Sequence, residues 1–170
     1  VDGDYKISAD KDRMILGQGR PKHIFNMSNN FTYKGFDFNF VLYGTVGGMV
    51  QNKLRYGHQA NRNNNLKYDY WTPNNPTNAY PRPDSSSNDV EYESTLHYEK
   101  TDFLRLKTVT LGYTLPKQSI QKAGLTNCRL YLTAENPLIF TNYNGIDPEG
   151  ATAYSAPSVS SWMFGVNLSF

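Results

Sequence analysis

Read at every second position, the segment SWMFGVNLSF, residues 161–170, separates into two lists. Trp162, Phe164, Val166, Leu168 and Phe170 are apolar, while Ser161, Gly165, Asn167 and Ser169 are small or polar, with Met163 the exception. Strict alternation marks a β-strand with one dry face and one wet face. The same period runs through HIFNMSNNFTYKGFDFNFVLYGTVGG. Phe25, Met27, Phe31 and Tyr33 share a parity before Lys34-Gly35, and Phe36, Phe38, Phe40, Leu42 and Val46 share one after it. Asp37, Asn39, Tyr43 and Thr45 take the opposite positions. Gly35 supplies the positive φ that a tight hairpin turn needs. Each arm is about as long as the roughly 9–11 residues of a tilted membrane-crossing strand.

Between residues 50 and 100 the periodicity stops. GHQANRNNNLKYDYWTPNNPTNAYPRPDSSSND is rich in Asn, Ser and Pro, and its prolines exclude a central strand. Its aromatics, Tyr68, Tyr70, Trp71 and Tyr80, favour an ordered loop over a disordered one. DFLRLKTVTLGYTLP then reads as a strand, KQSIQKAGLTN as a short segment whose Gly124 ends one turn of helix, and CRLYLTAENP as another strand. The pattern predicts strands at about 23–34, 36–49, 102–115, 128–136 and 161–170, with long loops at 50–100 and 138–160. In the third strand the parity is divided. Val109, Leu111 and Tyr113 suit an apolar face, yet Arg105 and Lys107 share their parity. Either those cations lie beyond the apolar band, or a bulge near Thr108 turns them to the wet side.

The connections alternate: short at Lys34-Gly35, long from 50, short from 116, long from 138. That is the pattern of an outer-membrane barrel, with short periplasmic turns and long extracellular loops. On this scheme the first strand descends and Phe170 lies on the periplasmic side. Phe36, Phe38, Phe40, Trp162, Phe164, Val166, Leu168 and Phe170 are then the lipid-facing set. Five strands cannot close a membrane barrel, and an open sheet would leave two bare edges and an unmatched apolar face. The expected fold is therefore all-β, an antiparallel transmembrane β-barrel segment forming about the last five strands of a larger barrel. The rival is a soluble, surface-exposed β-sandwich that binds glycans through its loop aromatics.

Composition narrows the choice. The low mean hydropathy of −0.63 does not speak against a barrel, where only alternate residues meet lipid and polar loops dilute the average. No apolar run is long enough for a membrane-spanning helix. A net charge of +2 with scattered basic residues gives no footprint for nucleic acid. The single cysteine, Cys128, excludes an internal disulfide framework. The chain opens VDGDYKIS, without a signal-peptide pattern, so either a leader has been removed or the chain is part of a longer one.

Candidate chemistry is sparse. His23, His58 and His97 lie at no metal-ligand spacing, and Glu91, Glu93 and Glu99 form no acid/base pair. Nothing resembles a nucleophile elbow, so no enzymatic activity is expected. Tyr70, Trp71, Tyr80 and Tyr143 either stack on sugar rings, with Asn side chains bonding hydroxyls, or form small cores that order their own loops.

DGDYKIS, DKDRMILGQGRPK, NNFTYKGFDFNF, YWTPNNPTNAYPR, DFLRLKTVTLGYTLP, RLYLTAENP and GVNLSF, taken together and in this order, resemble the SusC/RagA-like TonB-dependent outer-membrane transporters of Bacteroidetes. The resemblance spans nearly the whole chain. It implies a barrel of about 22 strands, plugged by a domain not contained here. It also implies import of glycans or peptides, a SusD-like surface lipoprotein as lid, and energy from TonB. In such proteins the last strand, ending in an aromatic residue, is the signal read by the assembly machinery, a role that falls to Phe170. The opening motif of the family often looks like a calcium loop. Here Asp2, Asp4 and Asp12 are the candidate Ca²⁺ ligands, but Tyr5 stands where the turn glycine belongs and Asp12 is displaced by one residue. The other reading of that stretch is a solvated acidic turn.

Overall fold

The structure, a computed structural model, describes residues 10–52, 69–79, 95–150 and 156–170. Among these, strand β1 is His23–Tyr33, β2 Phe36–Val46, β3 Met49–Gln51, β4 Tyr98–Lys100, β5 Phe103–Thr114, β6 Asn127–Thr141 and β7 Ser161–Ser169. A five-stranded antiparallel sheet has the order β1-β2-β5-β6-β7, and β3 pairs with β4 in a small second sheet. Apart from the β3–β4 excursion, each strand lies beside its neighbour in sequence. No helix among the described residues is long and apolar enough to cross a membrane.

Local chemistry sets the connections. Tyr33 pairs with Phe36, and the residues between them, Lys34 (φ 46°) and Gly35 (φ 85°), both have positive φ. This is the mirror-image turn whose twist matches that of the strands it joins. β2 ends where Gly47 takes φ 90°, and the Gly47 N–H donates to Asp102 Oδ1 at 2.6 Å. Between β5 and β6, a single helical turn, α1 (Lys117–Ile120), leads into a 3-10 turn at Gln121–Ala123. Gly124 closes it with φ 73°, its N–H donating to Gln121 O at 3.0 Å.

Three boundaries differ from the sequence reading, the first being the second strand, which ends at Val46 rather than 49. The fourth long strand does not stop at 136; it continues through Pro137 to Thr141, so the connection after it starts at 142 rather than 138. Proline is tolerated there because Asn136 and Pro137 sit in a ladder irregularity opposite Lys107, and Asn136 takes φ 47°. The expected loop 50–100 also carries regular structure at its ends, because β3 and β4 pair Met49 with Lys100 and Gln51 with Tyr98.

The sheet is not closed in this chain. β1 and β7 each have one neighbour. Buried apolar side chains among the described residues are few, namely Phe103, Ile120, Cys128 and Ala134, whereas Phe164 is 71% exposed. A sandwich would require a second sheet over the large side chains. Among the described residues the second sheet is the short β3–β4 pair alone.

Candidate functional site

The first functional surface is the apolar face, and strand register builds it. Residues directly opposite in an antiparallel pair project to the same side. Phe38 pairs with Leu111, Leu111 with Leu132, and Leu132 with Phe164, giving one continuous apolar row. Phe40, Val109, Ala134 and Trp162 form the next row, and Phe36, Tyr113, Leu130 and Val166 the one beyond. Leu168 continues the face opposite Cys128. Phe36 packs on Tyr113 with ring centroids 4.4 Å apart, and Phe31, Phe38 and Phe40 form a cluster at 5.7–6.4 Å. Phe170 lies just past β7 and is 87% exposed. Among the described residues the large side chains of this face are mostly exposed, with Ala134 and Cys128 buried between them.

The opposite face is polar and is built by specific pairs. Arg129 on β6 donates from Nε and Nη2 to Asp37 on β2 at 2.9 and 2.5 Å, reaching across the intervening β5. The position it crosses is Gly112. A Cβ there would lie 2.3 Å from Asp37 Oδ1 and 2.6 Å from Arg129 Nη2, so glycine is what leaves room for the fork. Thr110 and Thr133 share a hydrogen bond of 2.8 Å. The Tyr131 ring lies over Gly165, its cross-strand partner, where any added Cβ would collide with it. Alternation marks Asp37 and Arg129 as wet-face residues of their own strands but gives no sign that they meet over Gly112. The pairing joins residues 92 positions apart and leaves no periodic signal.

At the far end of β5 the register settles the position of the cations. Val41 pairs with Thr108 but Leu42 with Leu106, so Lys107 is an extra residue. That bulge puts Leu106 and Leu104 on the apolar face and turns Arg105 to the wet one, opposite Tyr43. Lys107 Nζ also lies on this side, 5.1 Å over the Tyr43 ring. Arg105, 2% exposed, donates from Nη2 to Asp147 Oδ1 at 2.7 Å, and Asp147 is 7% exposed. Asp147 also accepts from the Glu149 N–H at 2.9 Å and the Ser158 N–H at 3.0 Å. Lys107 Nζ lies 2.9 Å from both Glu149 carboxylate oxygens. Burial alone would raise the Asp147 pKa, but hydrogen bonds from Ser158, the Glu149 N–H and Arg105 outweigh it, bringing it down to about 2.

The loop aromatics occupy two separate connections. Tyr70 and Trp71 are exposed on a turn closed by paired hydrogen bonds between the backbones of Thr72 and Asn75, at 3.0 and 3.1 Å. Asp69 staples that turn, accepting from Asn75 Nδ2 at 2.8 Å and Thr77 Oγ1 at 2.9 Å. Those two hydrogen bonds also hold its carboxyl below the usual carboxylate value. The order in YWTPNNPTN is therefore local and polar, with the rings left outside it. Tyr143 is half-buried, its ring lying against Gly145. Tyr80 lies outside the described residues, as do Asp2 and Asp4. Asp12 is half-buried in a bend, and no group of three potential metal ligands occurs among the described residues.

An antiparallel sheet whose one face is apolar except at Asn29, opposite Phe40, and whose other face carries ion pairs and hydroxyls is a wall of a transmembrane β-barrel. Comparison with known proteins gives the kind of barrel. The chain is 37% identical over 153 residues to a TonB-dependent receptor of Formosa agariphila designated P26, covering 88% of this chain and 15% of that protein. It is 28% identical to the TonB-dependent receptor SusC of Bacteroides thetaiotaomicron, over 94% of this chain and 16% of SusC. Among solved structures, the RagAB peptide importer superposes in its closed-closed state with a TM-score of 0.74 at 27% identity. That match covers 97% of this chain and 19% of the importer chain, and the open-open state gives 0.72. No protein-family profile matches. The chain belongs to the SusC/RagA-like TonB-dependent receptors, and it spans between 15% and 18% of the length of the curated relatives it matches.

Proposed function

We propose that this chain is the closing, C-terminal wall of an outer-membrane active transporter that imports glycans or peptides. It works with a SusD-like surface lipoprotein as lid, a plug from elsewhere in the same protein, and energy supplied through TonB. The observation that carries the reading is the division of the sheet. Phe36, Phe38, Phe40, Trp162, Phe164, Val166 and Leu168 lie along one apolar side that is largely exposed among the described residues, with Phe170 just past its end, and lipid would cover it at no desolvation cost. The polar side, with Asp37, Arg129, Thr110 and Thr133, then lines the water-filled interior. Transport here is binding and gated passage, and no side chain described above is arranged for covalent chemistry.

The cargo class is tested in cells that depend on the full-length receptor. Fluorescent oligosaccharide and oligopeptide pools are offered to cells with the receptor, without it, and with its TonB-contacting segment deleted. Uptake of one pool is expected to require both receptor and segment. Uptake of both pools unchanged by either deletion refutes the proposal. Orientation is read separately, from cysteines placed at Asn74 or Lys34 in a Cys128→Ser background. An impermeant thiol reagent should label Asn74 on intact cells and leave Lys34 unlabelled; the reverse pattern inverts the topology.

A further inference from the structure

The connection that leaves β6 does not stand clear of the sheet. Its first residues are tied down at once: Thr141 Oγ1 donates to Asp102 O at 2.8 Å, and the Tyr143 N–H donates to Thr141 Oγ1 at 3.0 Å. The Asn144 N–H donates to Glu99 on β4 at 3.0 Å. Asp147 and Glu149 then bind Arg105 and Lys107 of β5, and Ser158, on the returning side, donates its N–H to Asp147.

The face on which this happens matters. Arg105 is opposite Tyr43 in the ladder, and Lys107 lies over the Tyr43 ring, so both cations project from the wet face. The carboxylates they hold must lie over that face too. Release is opposed by burial. Freeing Asp147 would leave the buried Arg105 guanidinium only its longer, 3.5 Å contact to Glu149 and would strip one carboxylate of two backbone donors. Asn144 and Ile146 remain exposed on the held segment.

We infer that Arg105 and Lys107 are positioning residues that clamp residues 143–150 against the inner side of the barrel's outer mouth, making this segment a fixed constriction that cargo must pass. The inference rests on the reading of the wet face as the lumen. A solute entering there meets Asn144 and Ile146 rather than the bare strand ends. The clamp belongs to the wall itself, and its narrowing is independent of any lid.

The test uses the full-length receptor in lipid vesicles, with a nitroxide label at Ile146 or, separately, at Phe164, in a background free of other cysteines. The Ile146 label should be immobilised and relaxed by a water-soluble nickel chelate. Glu149→Lys together with Asp147→Asn, both outside the strands, should release it into nanosecond motion. In the single-pair arm, Glu149→Lys alone should loosen the label, and adding Lys107→Glu should immobilise it again. A label already mobile with the clamp intact, or one unmoved by the double substitution, overturns the inference. So does failure of the swapped pair to restore immobility, which a merely space-filling role for Lys107 predicts. The Phe164 label separates the two levels. If lipid-dissolved oxygen relaxes it while Ile146 is mobile, the clamp alone is wrong; if oxygen does not reach it, the membrane reading fails as well.

Discussion

The two faces of the same strands are held by different physics. On the apolar face the rows from Phe38 to Phe164 and from Phe40 to Trp162 require only that each side chain be apolar. A fluid hydrocarbon adapts to whatever shape it meets. On the wet face the requirement is geometric: the Asp37–Arg129 fork exists because Gly112 has no side chain, and Tyr131 lies flat because Gly165 has none. One face is specified by composition, the other by individual contacts. Substitutions should therefore fail on the two faces for opposite reasons.

The largest effect is expected from charge on the apolar face. Phe164→Arg in the full-length receptor should cost about 2–4 kcal/mol if the residue lies near the bilayer midplane, and should sharply reduce assembled barrel. Heat-modifiable gel mobility reads this directly. Phe164→Leu, which changes shape but not polarity, should assemble normally; equal loss from both would erase the distinction drawn between the faces.

Size is what the wet face should resist. Gly112→Val suits strand propensity, but its side chain would occupy the space of the Asp37–Arg129 fork. A cost of about 1–3 kcal/mol is expected, seen as a lower denaturant midpoint for the reconstituted receptor. Stability equal to or above that of the unaltered protein would mean the fork is dispensable.

Acid should act on the Arg105–Asp147 end of the sheet alone. Asp147 ionises near 2 in the folded chain, against an ordinary 3.8, so its contribution is fully present above about pH 4 and is lost as the pH falls through about 2. Arg105 faces Asp147 and Glu149 from β5, and Lys107 faces Glu149. Between pH 4 and 2, hydrogen exchange at the Glu149 and Ser158 amides should accelerate relative to an unstructured control peptide, while the amides of β5 and β6 stay protected. Uniform loss of protection would assign the effect to the whole sheet.

Altering charge on the wet face without adding bulk should matter least. Arg129→Gln gives up a partly exposed ion pair worth up to about 1 kcal/mol. Asn167→Asp, which pairs with Arg129 across the β6–β7 ladder, should shift stability by less than about 0.5 kcal/mol. A defect from Asn167→Asp as deep as that from Phe164→Arg would place Asn167 in lipid and reverse the sidedness.

Much of this was legible because alternation is a local code. The parity of Trp162, Phe164, Val166 and Leu168 is visible without any partner strand, and so is the turn at Lys34-Gly35. The conflict at Arg105 and Lys107 was visible too, and it pointed to a bulge as one of its two solutions. What alternation could not reveal is which residues meet across the sheet. Arg105 and Asp147 are 42 positions apart, and Asp37 and Arg129 are 92 apart. The continuation of β6 through Pro137 was hidden for a related reason. Proline normally argues against a paired strand, and the irregularity that accommodates it becomes apparent only when β6 is laid against β5.

That irregularity has a consequence for the shape of the wall. From Phe40 to Leu42 the chain advances two residues on β2; the matching span is three residues on β5, from Val109 to Leu106, and four on β6, from Ala134 to Leu138. Each added residue brings about 3.3 Å of contour length that its neighbour does not have. Slack of this kind cannot be absorbed in a flat ribbon, so it must go into local bending and coiling. The wall is thus gathered along one line near the Phe103 end of β5, like cloth taken in by darts. Above that line its curvature is a property of strand length rather than of any side chain. Deleting Lys107 would remove one dart and leave the fabric too short to turn.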